Sequence, residues 1–304
     1  MSFIQSISGT SQEHNILLRS VIGFISPTGG TGVTTIATSV AYLLAKLGYS
    51  VCFIDTNIVF PMAYTYLVST NSMSKQKHDL LEMGERGIGE IVISGRHENI
   101  SLITCKSRKL IDQLSPRDSQ QQMQVLIDEC KKSFDFVILD ISRDPTHISS
   151  AALISADMTY QVWDESPSCY TNCTHFISYL LEMGTFPSKV LRVVINKRTG
   201  VKLPSKLFSS NSLSLVSTIP YSQSILSSSW SGKVIGEIAS TKKVMALASE
   251  GIDLLVNNIL GTDVLNKMEE LRVEQKKVLG NKKGRKWLPK KSKKNGGRVD
   301  ADKK

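Results

Sequence analysis

Short runs rich in valine, isoleucine and phenylalanine alternate along the chain with longer segments in which apolar residues recur at helical spacing. Such short runs predict buried strands, and the longer amphipathic segments predict helices. The predicted strands are Val21–Ser26, Val51–Asp55, Ile100–Cys105, Phe134–Asp140, Met158–Trp163, Val190–Asn196 and Leu213–Ser217. The predicted helices are Thr34–Leu47, Ser119–Lys132, Pro167–Met183 and Thr241–Leu260. This alternation predicts an α/β fold with a doubly wound, mainly parallel sheet flanked by helices.

The chain of 304 residues is long enough for one such domain with extensions at its ends. We expect an N-terminal extension at 1–18, the α/β domain at 19–261, a helix at 262–280 and a basic tail at 281–304. The tail is too charged and too poor in apolar residues to fold alone, so we expect it to be disordered when free. The polar segment Met73–Glu98 predicts a loop with short helices.

The net charge of +10 is concentrated at the C-terminus. From Lys276 to Lys304 the chain holds 13 lysines and arginines against two aspartates, which leaves 24 basic and 25 acidic residues for the remainder. The domain is therefore nearly neutral, and a polyanionic partner would bind the tail. Trp287 and Leu288 lie among the tail's lysines, a composition that suits an anionic membrane, DNA phosphates or a tail that only aids solubility.

The cysteines indicate the compartment. Their number, five, is odd and they are scattered, which favours a reducing cytoplasm over a disulfide framework. No apolar run of about 18 residues and no signal peptide is present, so we expect a cytoplasmic protein, peripheral on the inner face of the cell membrane if the tail binds lipid. Cys169 and Cys173 have helical i, i+4 spacing, but a structural metal site needs about four ligands, so ordinary cysteines are expected.

The clearest local motif is the segment VIGFISPTGGTGVTTIATSVAYLLAKLGYSVCFID, which combines a strand, a glycine-rich turn, a helix and a second strand. Glycines let a backbone wrap around phosphate oxygens, and a helix N-terminus offers unpaired N–H groups with a partial positive charge. Gly29, Gly30 and Gly32 are placed for this role. A tight turn that binds nothing has the same pattern, so the loop alone leaves both interpretations open.

Over roughly residues 20–260 the chain resembles the MinD/ParA family of deviant P-loop ATPases, whose loop reads K-G-G-x-G-K-[ST]. Here Thr28 and Val33 stand where that family has lysines, and Thr34 keeps the magnesium-binding hydroxyl. VVINK resembles the strand whose asparagine binds adenine, and STIPYS resembles the loop beside the base, with Pro220 and Tyr221. The resemblance thus implies a nucleotide site formed by Gly29, Gly30, Thr31, Gly32, Val33, Thr34, Thr35, Asn196 and Pro220.

The resemblance also implies ATP and magnesium as cofactors, the metal being held by Thr34, Asp55 and Asp140, partly through water. Asp140 lies in FDFVILDIS, which is similar to a Walker B strand. The family's D-x-D motif appears as Asp55-Thr56-Asn57, so an amide replaces the carboxylate that positions water. Because both lysines and this carboxylate are replaced, hydrolysis is expected to be very slow or absent. Weakened Mg-ATP binding and an empty scaffold both remain open.

Within the family, DTNIVFPMAYTYL after the second strand is similar to the CpaE/TadZ branch, as is the segment from Asp135 to Leu180. That likeness implies a pseudo-ATPase that positions a Tad-type pilus or secretion assembly, with the assembly proteins as partners and a homodimer as a further expectation. Since about 18 residues precede the first strand, we expect no counterpart of the receiver-like domain common in that branch. The alternative function is an active partitioning-type ATPase that binds DNA through the basic tail.

Overall fold

The strands form where β-branched and aromatic runs can be buried on both faces of a sheet. The computed structural model describes residues 20–106, 116–182, 192–201, 213–238 and 243–261. Within these ranges the strands are β1 (Ser20–Ile25), β2 (Val51–Asp55), β3 (Ile93–Ser94), β4 (Ile100–Ile103), β5 (Phe136–Asp140), β6 (Met158–Trp163), β7 (Arg192–Arg198) and β8 (Ser214–Pro220). Every residue of β2 and of β5 is buried, as expected for interior strands of a parallel sheet.

These strands form one sheet in the order β3-β4-β2-β5-β1-β6-β7-β8. Neighbouring strands are parallel except for β3 and β4, which are antiparallel. The fold class predicted from the sequence is confirmed. Because parallel strands end at the same edge, the residues that follow β1, β2, β5 and β7 meet there, and ligands of such sheets bind at that edge.

Helices cover both faces of the sheet. Their bounds in the described chain are α1 (Val33–Lys46), α2 (Ala63–Leu67), α3 (Thr70–Lys75), α4 (Ile88–Ile91), α5 (Pro116–Ser133), α6 (His147–Ser155), α7 (Pro167–Glu182), α8 (Gln223–Trp230) and α9 (Lys243–Leu260). One hydrophobic core joins α1 and α9 to the sheet, and a second joins α5 and α6 to the opposite face. In α1 the buried Ile36, Val40 and Leu44 recur every four residues and form its apolar stripe.

The predicted elements correspond closely to these. β2 and β6 have the predicted bounds, and the other five predicted strands overlap observed ones. The four predicted helices correspond to α1, α5, α7 and α9, while α6 and α8 have no predicted counterpart. The segment Met73–Glu98 contains the end of α3, a 3-10 turn at Leu80–Glu82, α4 and β3.

The described residues up to Leu260 form one compact unit. The predicted extension at 1–18, the helix at 262–280 and the basic tail at 281–304 lie outside the described residues. No helix in the part of the chain that the structure describes is long and apolar enough to cross a membrane.

Candidate functional site

The glycine-rich loop joins β1 to α1 at the carboxyl edge of the sheet. Gly30 and Gly32 have φ angles of 79° and 96°, in the left-handed region that favours glycine. Gly32 is the N-cap of α1; among the described residues no side chain caps this helix start, and its first turn contains no acidic residue. The backbone N–H groups at the start of α1 are therefore free to bind an anion.

Two buried carboxyl groups lie under the loop. Thr34 Oγ1 donates a hydrogen bond to Asp140 Oδ2 at 2.6 Å, and Asp55 is the register partner of Asp140 in the neighbouring strand. Burial, followed by the negative charge of Asp55, raises the pKa of Asp140 to about 8. Burial also raises the pKa of Asp55 to about 6. Such a pair favours binding of a cation, which would stabilise both ionised groups.

The carboxylate of Asp55 also organises the chain that follows β2. Its Oδ1 accepts a hydrogen bond from the N–H of Asn57 at 3.0 Å, and its Oδ2 accepts from Met62 at 2.9 Å and Ala63 at 3.0 Å. These bonds bring the start of α2 against the end of β2. Since both oxygens accept backbone hydrogen bonds, Asp55 is better placed to act on a metal through its charge or through water than as a direct ligand.

The residues at this position fit magnesium. Mg²⁺ prefers oxygen ligands and keeps several waters, so one hydroxyl, one carboxylate and phosphate oxygens suffice to hold it. Thr34 and Asp140 provide the first two beside the helix N-terminus that faces a phosphate. In addition, Thr31 Oγ1 in the loop is buried and has no hydrogen-bond partner among the described residues. A buried hydroxyl of this kind is expected where a ligand or water completes a site.

A cleft of about 800 Å³ opens above the loop, a volume that suits a mononucleotide. All the predicted nucleotide-binding residues line it, together with Asp140; Asp55 does not. Asn196 Nδ2 donates to Thr31 O at 2.8 Å and so ties the end of β7 to the loop. A Cβ added at Gly32 would stand 2.3 Å from the same nitrogen, so this contact requires glycine there. The contact of Asn196 with adenine stays a prediction.

Residues 19–174 match the AAA_31 family, described as an AAA domain. The chain belongs to the AAA_31 family. The matched range includes the glycine-rich loop, Thr34, Asp55 and Asp140, whereas Asn196 and Pro220 lie beyond it.

This AAA_31 chain is 26% identical over 221 residues to the septum site-determining protein MinD of Thermotoga maritima, covering 70% of this chain and 79% of the relative. A ParA family ATPase from Chlorobium tepidum TLS superposes with a TM-score of 0.66 at 18% identity, covering 81% of this chain and 100% of that one. MinD of Pyrococcus horikoshii OT3, complexed with Mg-ADP, has a TM-score of 0.65 at 16% identity, covering 80% and 99%. The predicted membership of the MinD/ParA P-loop superfamily is confirmed.

Two cationic residues of the AAA_31 cleft carry no predicted role. Arg143 and Lys197 both line it, as do Ile225, Leu226 and Ser229 from α8. The positions of these two cationic residues in the sequence could have identified them. Arg143 lies three residues after Asp140 at the same strand end, and Lys197 follows Asn196 in VVINK. Nothing in the sequence indicates that α8 would border the cleft.

Cys169 and Cys173 pack against each other within α7. Their Sγ atoms are 3.8 Å apart, and both side chains are buried in a small cluster with Trp163. In the described ranges, no three histidine, cysteine, aspartate or glutamate side chains are grouped so that they could hold a metal ion. The two thiols pack in this cluster as small, weakly polar side chains.

Proposed function

We propose that this chain is a positioning protein of the MinD/ParA kind that binds Mg-ATP and hydrolyses it very slowly or not at all. The hydrogen-bonded Thr34–Asp140 pair carries the proposal, because it lies beneath a glycine loop that contains no lysine. A hydroxyl paired with a buried carboxylate at a helix N-terminus is the arrangement that holds magnesium next to phosphates.

Binding depends on groups that the loop retains. The backbone N–H groups at the start of α1 can donate to phosphate oxygens, and Gly30 and Gly32 keep the loop close to them. Bound magnesium would offset part of the phosphate charge. The loop lacks the two lysine ammonium groups of the family pattern at Thr28 and Val33, so the affinity is expected to be weaker than that of a site with both.

Hydrolysis depends on groups that the site lacks. Phosphoryl transfer is accelerated mainly by positioning and by positive charge that offsets the charge developing on the phosphates. Loss of one such electrostatic contact costs about 10²- to 10³-fold in rate, and this site lacks two lysines. Asn57 lines the cleft, but its Oδ1 accepts the N–H of Phe60 at 2.9 Å, and an amide cannot accept a proton from water as a carboxylate can.

Calorimetric titration with ATP, with and without magnesium, tests this proposal. We expect binding that requires magnesium and that weakens about 10- to 100-fold in Thr34→Ala, since a charge-assisted contact is lost. Thr171→Ala is the matched control, because Thr171 lies on the exposed face of α7 and its hydroxyl bonds only within that helix in the described structure. Equal magnesium-dependent binding by wild type and Thr34→Ala would contradict the assigned role of Thr34. No binding by the wild type would indicate a scaffold.

The cargo that we propose is a Tad-type pilus or secretion assembly, supported by the resemblance of the segment after β2 to the CpaE/TadZ branch. A MinD relative that determines the septum site supports a positioning role in the same way. We further propose that nucleotide-bound chains form a homodimer. Light scattering with and without Mg-ATP tests the dimer, and a constant monomer mass in both states would refute it.

The second candidate function is an active partitioning ATPase that moves on DNA. The tail favours it, since Lys276–Lys304 holds 13 basic residues against two acidic ones and DNA binding is driven by such charge. Phosphate release measured with and without duplex DNA separates the two functions. Magnesium-dependent turnover that DNA stimulates would support partitioning and overturn the pseudo-ATPase proposal.

A further inference from the structure

The positive charge of the cleft comes from outside the glycine loop. Among the described residues that line the cleft, only Arg143 and Lys197 are lysine or arginine, and Asp140 and Asp144 are the acidic ones. A triphosphate carries several negative charges, so its affinity depends on where these two cations can reach. Arg143 follows β5 and Lys197 lies near the end of β7, which places them on opposite sides of the central strand β1.

Lys197 is engaged with the loop backbone. Its Nζ donates a hydrogen bond to the carbonyl oxygen of Gly30. Lys197 also has a φ of 56°, the only positive φ of a non-glycine residue in the described chain. A positive φ is uncommon for lysine. Lys197 therefore supports the shape of the loop through a carbonyl group.

Arg143 lies directly over Gly29. A Cβ built on Gly29 would stand 2.3 Å from Arg143 Nη1 and 3.1 Å from its Cζ, so the guanidinium occupies the space that a side chain would fill. Gly29 is not among the described glycines with a positive φ. Its backbone conformation is therefore one that other residues can adopt. Glycine at this position thus provides room for the arginine at the first turn of the phosphate loop.

The terminal nitrogens of Arg143, a residue that lines the cleft, have no hydrogen-bond or ion-pair partner among the described residues. In the described structure its ion pair joins Nε to Asp144 Oδ1 at 3.8 Å, and both side chains are more than half exposed. Such a pair is weak in water. The backbone beside it is fixed, because the N–H of Ser142 donates to the buried hydroxyl of Thr56 at 2.8 Å. Arg143 therefore has a fixed backbone position and a guanidinium that can reorient toward a ligand.

We propose that Arg143 is the phosphate-binding cation of this cleft, acting on the terminal phosphates of a nucleoside triphosphate in place of the missing loop lysines. The guanidinium supplies two parallel N–H donors, which match two oxygens of one phosphate. The inference deepens the proposed function, and it rests on the nucleotide occupying this cleft. Inorganic tripolyphosphate has the same terminal phosphates without the base and so separates the two claims.

Calorimetry of the full chain with Mg-ATP, Mg-tripolyphosphate and AMP tests the assignment, using Arg143→Gln, Arg143→Lys and Arg86→Gln. Arg86 is the matched control, because it is exposed and pairs with Glu82 and Glu90 away from the cleft. We expect Arg143→Gln to weaken both triphosphates about 10- to 100-fold and to leave AMP unchanged, since one charge-assisted contact is lost. Arg143→Lys should recover part of the affinity, and Arg86→Gln should match the wild type.

The outcomes distinguish the inference from the proposed function. Binding of Mg-ATP that is equal in wild type and Arg143→Gln overturns the role of Arg143 and leaves nucleotide binding intact. Binding of tripolyphosphate but not ATP, lost in Arg143→Gln, supports the role of Arg143 and overturns nucleotide binding. Binding of neither by the wild type overturns both. Circular dichroism of each variant establishes that it is folded, and AMP binding, where present, establishes that the cleft is intact.

Discussion

Restoring a lysine at Val33 should restore affinity for ATP. Val33 is the first residue of α1, lines the cleft and stands where the resembling family has its phosphate-binding lysine. It is only partly buried, against the core that α1 shares with the sheet. A lysine there can place its ammonium group over the loop while its methylene groups keep part of the apolar contact.

The expected gain follows from the kind of contact that is added. A hydrogen bond to a charged group contributes about 1.5–3 kcal/mol, so Val33→Lys should tighten Mg-ATP binding about 10- to 100-fold. The cost to the ligand-free protein is about 1 kcal/mol, because the cation faces the positive end of the α1 dipole and the valine contact is reduced. Turnover should remain slow in this single variant, since Thr28 and Asn57 are unchanged.

Calorimetry and a phosphate-release assay on wild type, Val33→Lys and Val125→Lys measure both effects. Val125 is an exposed valine of α5 and gives the same change of charge away from the cleft. Thr28→Lys with Val33→Lys and Asn57→Asp should add measurable turnover, by about 10²- to 10³-fold per restored contact. A folded Val33→Lys variant that binds ATP no better than Val125→Lys would refute the assignment of this loop to the phosphates.

Three further predictions concern the carboxyl pair, the loop and the tail. The folded pKa of Asp140, about 8, lies above the ordinary aspartate value of 3.8, so its contribution to stability is complete below about pH 4 and is lost as pH rises through 8. Without ligand, thermal melting of the wild type should therefore fall more steeply from pH 6 to 9 than that of Asp140→Asn; parallel slopes would contradict this. Gly32→Ala should abolish ATP binding in calorimetry, because its Cβ would meet Asn196 and its φ of 96° disfavours alanine; an unchanged affinity would count against this loop geometry. Removing residues 276–304 should reduce pelleting with anionic vesicles at low salt, since each basic residue near such a surface contributes about 1 kcal/mol; equal pelleting of both forms would exclude the tail as the lipid-binding segment.

The sequence predicts the sheet well because its strands are short runs rich in β-branched and aromatic residues. VCFID and MTYQVW form β2 and β6 with the predicted bounds. The sequence pattern does not predict the helices α6 and α8, for a physical reason. Both are short and rich in serine, which favours caps and turns, so neither shows a clear amphipathic stripe. The start of α6 is fixed by a local contact, the capping box of Thr146 with Ser149.

The candidate site is predictable to the extent that its residues lie within one strand-loop-helix unit or at a strand end. The glycine loop and the Thr34–Asp140 pair belong to this part, because parallel strands bring their ends to one edge. The close approach of Arg143 to Gly29 does not, since it joins the turn after β1 to the turn after β5 and depends on the rotamer of a long side chain. No sequence spacing encodes such a contact.

The adjacent carboxylates argue that the cleft holds a cationic ligand in its working state. An empty scaffold would be more stable with apolar or amide side chains at Asp55 and Asp140, because burial and mutual repulsion disfavour their ionised forms. Among the described lysines and arginines, none forms an ion pair with either group. Magnesium beside Thr34 would offset this cost, so the groups that hold the metal are present. The absent loop lysines weaken nucleotide binding and slow hydrolysis to different extents, and affinity and turnover must therefore be measured as independent quantities.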